Sequence, residues 1–78
     1  MPETLPLQLL PSGQRGMIEQ LVGPAESVHR LHELGMRAGE VVEMVQAGSP
    51  CIIKLAGARL AYREHAGTCV LVRLGDVA

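Results

Sequence analysis

Histidine and acidic side chains are concentrated in one short stretch of the chain. Glu26, His29, His32 and Glu33 lie three or four residues apart, a spacing that places side chains on one side of a helix. At about 100° per residue, His29 and Glu33 fall about 40° apart, on the side opposite Leu31. Imidazole and carboxylate groups so placed can bind a divalent ion such as zinc or iron. The alternative is a solvated polar face with a weak His29–Glu33 interaction, since surface ligands without supporting hydrogen bonds make a poor specific site.

The other reactive side chains do not form the pattern of an enzyme. Cys51 lies on the apolar side of a predicted strand and Cys69 begins another, without Cys-x-x-Cys spacing. We therefore predict structural cysteines. The glycines do not form a phosphate-binding Gly-x-x-x-x-Gly-Lys-Ser/Thr loop. The sequence predicts a protein that is not an enzyme and that requires no cofactor.

Composition limits the classes of partner. The 78 residues suit one domain spanning 1–78. A formal net charge of −1 gives no indication of nucleic-acid binding. One tyrosine, with no tryptophan or phenylalanine, excludes base-stacking platforms and grooves for proline-rich peptides. Two cysteines without a secretory leader predict a reduced, cytoplasmic protein. Without a run of about 20 apolar residues, we expect no insertion into the membrane.

One helix is predicted over residues 24–34. Its apolar residues recur every three positions, so Leu31 and Leu34 are expected to face the core. Gly35 can adopt the left-handed conformation that ends a helix, and Met36 occupies the position of the hydrophobic contact in a Schellman cap. We therefore expect a helix with a well-defined C-terminus.

Five strands are predicted from apolar alternation and glycine-rich turns, at 17–22, 41–45, 51–55, 59–63 and 68–74. In the first of these strands, alternation places Ile18 and Val22 on the same face. Gly39 suits the third position of a tight turn before the second strand, and Gly57 completes a two-residue hairpin. Leu7 and Leu9 predict a short strand or extended arm, and residues 64–67 predict one turn. The pattern indicates a mainly β fold, a small barrel or sandwich with one helix.

Two strands carry more apolar residues than a small domain can bury. If one face of each strand packs into the core, Cys69 and Leu71 face outward on the last strand. Val41 and Val45 lie opposite Val42 and Met44 on the second strand. The four residues Leu71, Cys69, Val41 and Val45 are therefore candidates for binding a partner. The alternative is that the N-terminal arm, residues 5–10, or the helix covers them.

Two motifs of glycine and apolar residues are the most specific in the chain, Leu-Gly-Met-x-x-Gly at 34–39 and Gly-x-x-Leu-Ala from Gly57. On these motifs, the chain resembles the ferrous iron transport protein A family over residues 7–72. The chain departs from the family pattern at Ala38, where the family usually has proline. The matching positions are Gly16, Gly23, Leu31, Leu34, Gly35, Met36, Gly39, Gly57, Leu60, Ala61, Ala66, Val70, Leu71 and Val72.

The resemblance implies an SH3-like, five-stranded barrel with a helix inserted after the first long strand. It also implies a non-enzymatic cytoplasmic accessory protein of ferrous iron uptake. Such a protein would dock on the membrane iron transporter's cytoplasmic GTP-binding domain and regulate the transporter. One alternative is a divalent-metal-binding or metal-sensing module, with a metal-bridged homodimer, based on His29 and Glu33. Another is a detached C-terminal-type domain of an iron-dependent repressor, which the lack of a preceding DNA-binding domain makes less favourable.

Overall fold

A computed structural model describes residues 3–64 and 67–74. In this part of the chain, six strands form one antiparallel sheet in the order β1-β6-β2-β3-β4-β5. The structure confirms the five predicted strands to within two residues and adds β1. The predicted turn at 64–67 includes residues outside the described part. The elements are β1 (Thr4–Pro6), a 3-10 turn (Leu7–Leu9), β2 (Arg15–Val22), α1 (Ala25–Glu33), β3 (Val41–Gln46), β4 (Cys51–Leu55), β5 (Ala58–Tyr62) and β6 (Cys69–Arg73).

The inward faces of the strands meet in one core. Alternate residues of β3 and β6 are completely shielded from solvent, as the period of two predicts. Cys51 and Ile53 of β4 are equally buried. The core consists of Leu7, Leu10, Ile18, Met36, Val42, Met44, Cys51, Ile53, Leu55, Tyr62, Val70 and Val72.

The helix lies between β2 and β3, as predicted, and ends in the predicted Schellman cap. The Met36 N–H donates to the Leu31 carbonyl at 3.0 Å, and the Gly35 N–H donates to the His32 carbonyl at 3.0 Å. Gly35 has a φ of +97°, which glycine adopts without steric cost. The cap turns the chain so that Met36 enters the core with 1% of its surface exposed.

A tight turn then brings the chain to β3. The Glu40 N–H donates to the Arg37 carbonyl at 3.1 Å, and Gly39 has a φ of +96°. This is the turn predicted at 38–39. The Gly39 N–H also donates to the Ile18 carbonyl at 2.8 Å, so the turn itself is hydrogen-bonded to β2.

The hairpin between β4 and β5 has the predicted two-residue connection. Ala56 and Gly57 have φ values of +51° and +82°, as both central residues of a type I′ turn require. Leu55 pairs with Ala58, and the register continues to Cys51 opposite Tyr62 without a bulge. The turn type therefore fixes which backbone groups of β5 face β4.

The prediction that Leu34 is buried is wrong. Leu34 is 55% exposed, and no residue of α1 is fully buried. The reason is the position of the cap: Leu34 is the last residue in helical conformation, and the chain turns inward only after it. A Cβ on Gly35 would lie 3.6 Å from Cδ2 of Leu55, so Gly35 and Met36, rather than Leu34, face the core. Leu31 is half-buried and packs against the core.

The N-terminal arm is also different from the prediction. Leu7–Leu9 is a 3-10 turn, closed by the Leu10 N–H donating to the Leu7 carbonyl at 3.0 Å. This turn directs Leu7 and Leu10 into the core, each 1% exposed, and leaves Leu9 66% exposed. The residues before it form β1, the sixth strand, which pairs with β6.

A β-bulge in β2 reverses the predicted face of its second half. Ile18 pairs with Val72, but Leu21 pairs with Val70, because the register shifts between Ile18 and Gln20. One extra residue exchanges the two faces of a strand. Val22, predicted on the same face as Ile18, is therefore 44% exposed.

Candidate functional site

The outer face of α1 brings two of the four predicted metal ligands together. Nε2 of His29 lies 3.8 Å from Oε2 of Glu33, and the two side chains are 75% and 67% exposed. Glu26 is exposed in the first turn, and His32 is half-buried on the flank of the helix. Within residues 3–64 and 67–74, no group of three His, Cys, Asp or Glu side chains is arranged to hold a metal ion. A metal on this face would need further ligands from outside these residues.

Both cysteines are free thiols in environments that disfavour the thiolate. Cys51 is buried, and its Sγ donates to the Tyr62 carbonyl at 3.4 Å. Burial raises the pKa of the Cys51 thiol. Burial, together with the neighbouring Glu64 carboxylate, raises the pKa of the Cys69 thiol. Thiols of this kind are poor nucleophiles at neutral pH, which agrees with structural roles.

Half-buried apolar side chains occupy the outward face of β6. Leu71 lies between Pro6 of β1 and Gln20 of β2, and Cys69 lies opposite Val22. Leu71 and Cys69 are half-buried, whereas Val70 and Val72, the alternate residues of β6, are fully buried. Leu7 and Leu10 of the N-terminal arm fill the core, whereas Pro6 of the arm lies beside Leu71. We call Pro6, Leu71, Cys69 and Val22 the β6 patch.

The other two predicted partner-binding residues lie on β3. Val41 pairs with Met17 of β2, and Met17 in turn pairs with Arg73 of β6, so Met17 connects the two strands. Val45 lies in the register shift of β3, between Met44 and Gln46. Both valines are half-buried. Val41 is thus continuous with the outward face of β6 through Met17, whereas Val45 lies at the far end of β3.

Sequence analysis missed Val22 as a part of the β6 patch. Strict alternation from Ile18 puts Val22 on the inward face, because alternation assumes a strand without a bulge. A glutamate at the bulge, Glu19, gives the only sequence signal, since it interrupts the apolar pattern of β2. Its Oε2 lies 3.7 Å from Nε of Arg73, and its Oε1 accepts a hydrogen bond from Oγ1 of Thr4 at 3.3 Å.

A charged row crosses the outward face of four strands at the other end of the sheet. Arg15 of β2 pairs with Glu43 of β3, Glu43 with Lys54 of β4, and Lys54 with Arg59 of β5. A surface groove of about 460 Å³ lies beside it. Its lining consists of Arg15, Gly39, Glu40, Val41, Glu43, Lys54, Ala56 and Gly57. Three of the four side chains in this row are cations, and Glu43 is the one carboxylate among them.

Comparison with known families decides the relationship of this chain to other proteins. The family model of the FeoA domain matches residues 5–74. The chain belongs to the FeoA family. The match includes every strand except the first residue of β1, and α1 with its cap and the following turn. Membership of this family supports a role in ferrous iron transport.

A solved structure gives the same fold. The structure is described as the crystal structure of an iron uptake regulatory protein (FeoA), and its TM-score with this chain is 0.81 at 23% sequence identity. The similarity covers 92% of this chain and 99% of the other. It confirms the mainly β, SH3-like small barrel with one inserted helix. No curated protein sequence matches the chain.

The family consists of small accessory domains and is not a known enzyme family. Among the described residues, no helix is long and apolar enough to cross a membrane.

Proposed function

We propose that this protein is a non-enzymatic, cytoplasmic accessory protein of ferrous iron uptake that docks on the membrane iron transporter. Its binding partner is the transporter's cytoplasmic GTP-binding domain. The match of the FeoA domain to residues 5–74 carries this proposal. It needs no reactive group on the chain itself, in keeping with cysteines whose pKa values are raised.

The β6 patch supports docking as the mode of action. Val22 is 44% exposed beside the half-buried Cys69, and Leu71 continues the apolar surface toward Pro6. Removal of apolar surface from water is favourable by about 25 cal/mol per Å², and the entropy lost on association offsets part of this gain. A few well-placed apolar side chains at the centre of an interface supply most of its energy.

Regulation follows if the accessory protein binds one state of the transporter better than another. A ligand shifts a conformational equilibrium only by the difference between its affinities for the two states. We therefore expect different affinities for the GTP-binding domain loaded with GDP and with a non-hydrolysable GTP analogue.

Calorimetric titration of the chain into the isolated GTP-binding domain tests the proposal. We expect saturable binding that Leu71→Ser weakens by roughly tenfold or more. Leu34→Ser is the matched control, because Leu34 is an exposed leucine on the helix and lies outside the β6 patch. An absence of binding in both nucleotide states would overturn the proposal, and equal loss in the two variants would remove the β6 patch from it.

A second function, divalent-metal binding, is favoured by the 3.8 Å contact between His29 and Glu33. Two ligands on one helix face do not complete a tetrahedral zinc site, which takes four. Two molecules related by a two-fold axis beside α1 supply two ligands each, with Glu26 or His32 as additional candidates. This metal-bridged homodimer is a separate proposal, and sedimentation with and without zinc tests it.

A further inference from the structure

The two edges of the sheet differ in how well they are protected from pairing with another chain. The first edge, β1, has three residues and includes Pro6, which has no N–H. Short strands and proline are the devices that prevent edge-to-edge pairing. The other edge, β5, has five residues without proline, and its register with β4 is regular throughout. By these criteria β5 is the unprotected edge.

The type I′ turn identifies the free backbone groups of β5. Because Leu55 and Ala58 close the turn, hydrogen-bonded pairs alternate from there along the hairpin. Leu60 therefore exchanges hydrogen bonds with β4. Arg59 and Ala61 belong to the alternate pairs, so their N–H and C=O groups point away from β4. Both residues are exposed, and among the described residues neither takes part in a backbone hydrogen bond outside the strand ladders.

We propose that β5 is a docking edge for an extended acidic segment of a partner, which adds to the sheet as a seventh, antiparallel strand. The backbone groups of Arg59 and Ala61 supply the hydrogen bonds, as in other cases of strand addition. This inference goes beyond the proposed function, since β5 lies at the opposite edge of the sheet from the β6 patch. It does not depend on which protein supplies the segment.

The charge at the edge selects an acidic occupant. Arg59 faces outward beside Lys54, and Arg63 follows two residues beyond Ala61, also exposed. Oppositely charged side chains directly across an antiparallel pair stabilise it, and like charges destabilise it. Carboxylates opposite Arg59 and Arg63 would be four residues apart on the added strand. Apolar side chains between them would pack beside Leu60, which is half-buried against the core.

The same charges argue against a second copy of the chain as the occupant. In an antiparallel pair of two β5 strands centred on Ala61, Arg59 of one copy would face Arg63 of the other. Centred on Arg59, the pair would place the two Arg59 side chains opposite each other. Both arrangements set like charges across the pair. A pair centred on Leu60 would instead place Arg59 opposite Ala61 and give the arginine no opposite charge. An acidic segment supplies that opposite charge and is the better fit.

The test uses a capped seven-residue peptide with two glutamates four residues apart and valines between them. We expect chemical-shift changes confined to β5 and its neighbours, and slower hydrogen exchange of the Arg59 and Ala61 amides. Affinity should fall with added salt. Two N-methylated forms of the peptide separate strand addition from simple charge attraction. Methylation of the N–H groups that face β5 should abolish binding, and methylation of the alternate ones should preserve it.

Charge reversal tests whether opposite charges across the pair select the peptide. Arg59→Glu should weaken binding of the glutamate peptide by roughly tenfold or more. The variant should bind the same peptide more tightly when lysines replace the glutamates. Arg30→Glu is the matched control, because Arg30 is an exposed cation on α1, away from the edge, and should change affinity little. Loss of the same size in both variants would mean that only net charge matters and would overturn the proposal.

Ala61→Pro removes the outward N–H group of residue 61 and leaves the hydrogen bonds between β4 and β5 in place. This variant should no longer bind the peptide. If this variant does not fold, the two N-methylated peptides with the unaltered chain carry the same test. Equal binding of those two peptides would overturn the proposal. A concentration-dependent dimer in sedimentation would also overturn it if the β5 amides were protected from hydrogen exchange without peptide. The edge would then pair with a second copy of the chain.

Discussion

Gly23 lies against Thr68 so closely that a Cβ on Gly23 would be 2.9 Å from the Thr68 Oγ1. The same atom would be 2.8 Å from the Gly67 carbonyl oxygen. Gly23 also has a φ of +150°, which residues other than glycine rarely adopt. This contact joins the end of β2 to the start of β6, where Val22 and Cys69 form part of the β6 patch.

Gly23→Ala should therefore destabilise the fold by both strain and steric clash, on the order of 2–4 kcal/mol. Gly13→Ala is the control, because Gly13 has a φ of +88° and a Cβ added there would meet nothing within 4 Å. The Gly13→Ala variant should lose only the stability that a positive φ costs an alanine, about 1–2 kcal/mol. Urea unfolding of the two variants measures the difference in stability. Equal losses of stability would show that Thr68 moves away from the added Cβ at little energetic cost.

The two leucines of the helix should respond differently to truncation. Leu31 is half-buried against the core, so Leu31→Ala should cost roughly 1–2 kcal/mol. Leu34 is 55% exposed, so Leu34→Ala should change the free energy of unfolding by less than about 0.5 kcal/mol. Comparable losses in urea unfolding would mean that Leu34 is buried in solution.

Local signals predicted the elements of this fold because their causes are local. The helix end at Gly35 and the hairpin at Gly57 depend on positive φ values that glycine adopts readily, and both appear where the sequence places them. The FeoA resemblance then identified how these elements are arranged, which periodicity alone left open between a barrel and a sandwich.

Features that depend on contacts between distant segments could not be predicted from the sequence. The bulge after Ile18 is defined by its register with Val72, more than fifty positions away. Apolar spacing on a helix could not indicate that Leu34 lies beyond the core, because the end of the packed surface depends on where Leu55 is. Likewise, the spacing of His29 and Glu33 predicted their contact, but whether other ligands approach them is a matter of tertiary structure.

Alkaline pH should destabilise the protein through Tyr62. Burial, followed by the effect of Glu64, raises the pKa of Tyr62 to about 12, from an ordinary value of 10. Between these values the unfolded chain releases the phenolic proton and the folded chain retains it, so stability falls as the pH rises from 10 to 12. The loss should be on the order of 2–3 kcal/mol.

Tyr62→Phe removes the titrating group and should reduce this pH dependence. Urea unfolding of both proteins at several pH values from about 8 to 12 measures it. The cysteines contribute in the same direction, since burial raises the pKa of Cys51. Cys51→Ala in the Tyr62→Phe background identifies that contribution. If the free energy of unfolding falls with pH as steeply in Tyr62→Phe as in the unaltered protein, the tyrosine does not titrate with a raised pKa.

The barrel should not bind proline-rich peptides despite its SH3-like fold. Such ligands need grooves lined with exposed aromatic rings, and the one aromatic residue, Tyr62, is only 6% exposed. Millimolar Pro-x-x-Pro peptide should leave the amide spectrum unchanged. Localised, saturable shifts near Tyr62 would contradict this expectation, and the acidic peptide proposed for β5 serves as the positive control.

A divalent metal should dimerise the protein through the outer face of α1. His29 and Glu33 supply two ligands from each molecule, and bonds of about 2.0–2.2 Å to zinc would bring the two helices together. We expect a zinc-dependent dimer in sedimentation that dissociates with chelator. The dimer should also dissociate as the pH falls, because protons compete with the metal for the imidazole nitrogen. With only the exposed His29–Glu33 contact to orient the ligands, the affinity should be modest.

His29→Ala decides whether these ligands form the site. The variant should stay monomeric with zinc, and His32→Ala should weaken the dimer less, because His32 lies on the flank of the helix. Because both histidines lie on α1, comparison of the two variants separates the loss of His29 in particular from the loss of any one imidazole on this helix. A zinc-dependent dimer that survives His29→Ala unchanged would assign the metal to other residues. Cys69 and His65, the latter outside the described part of the chain, would be the next to substitute.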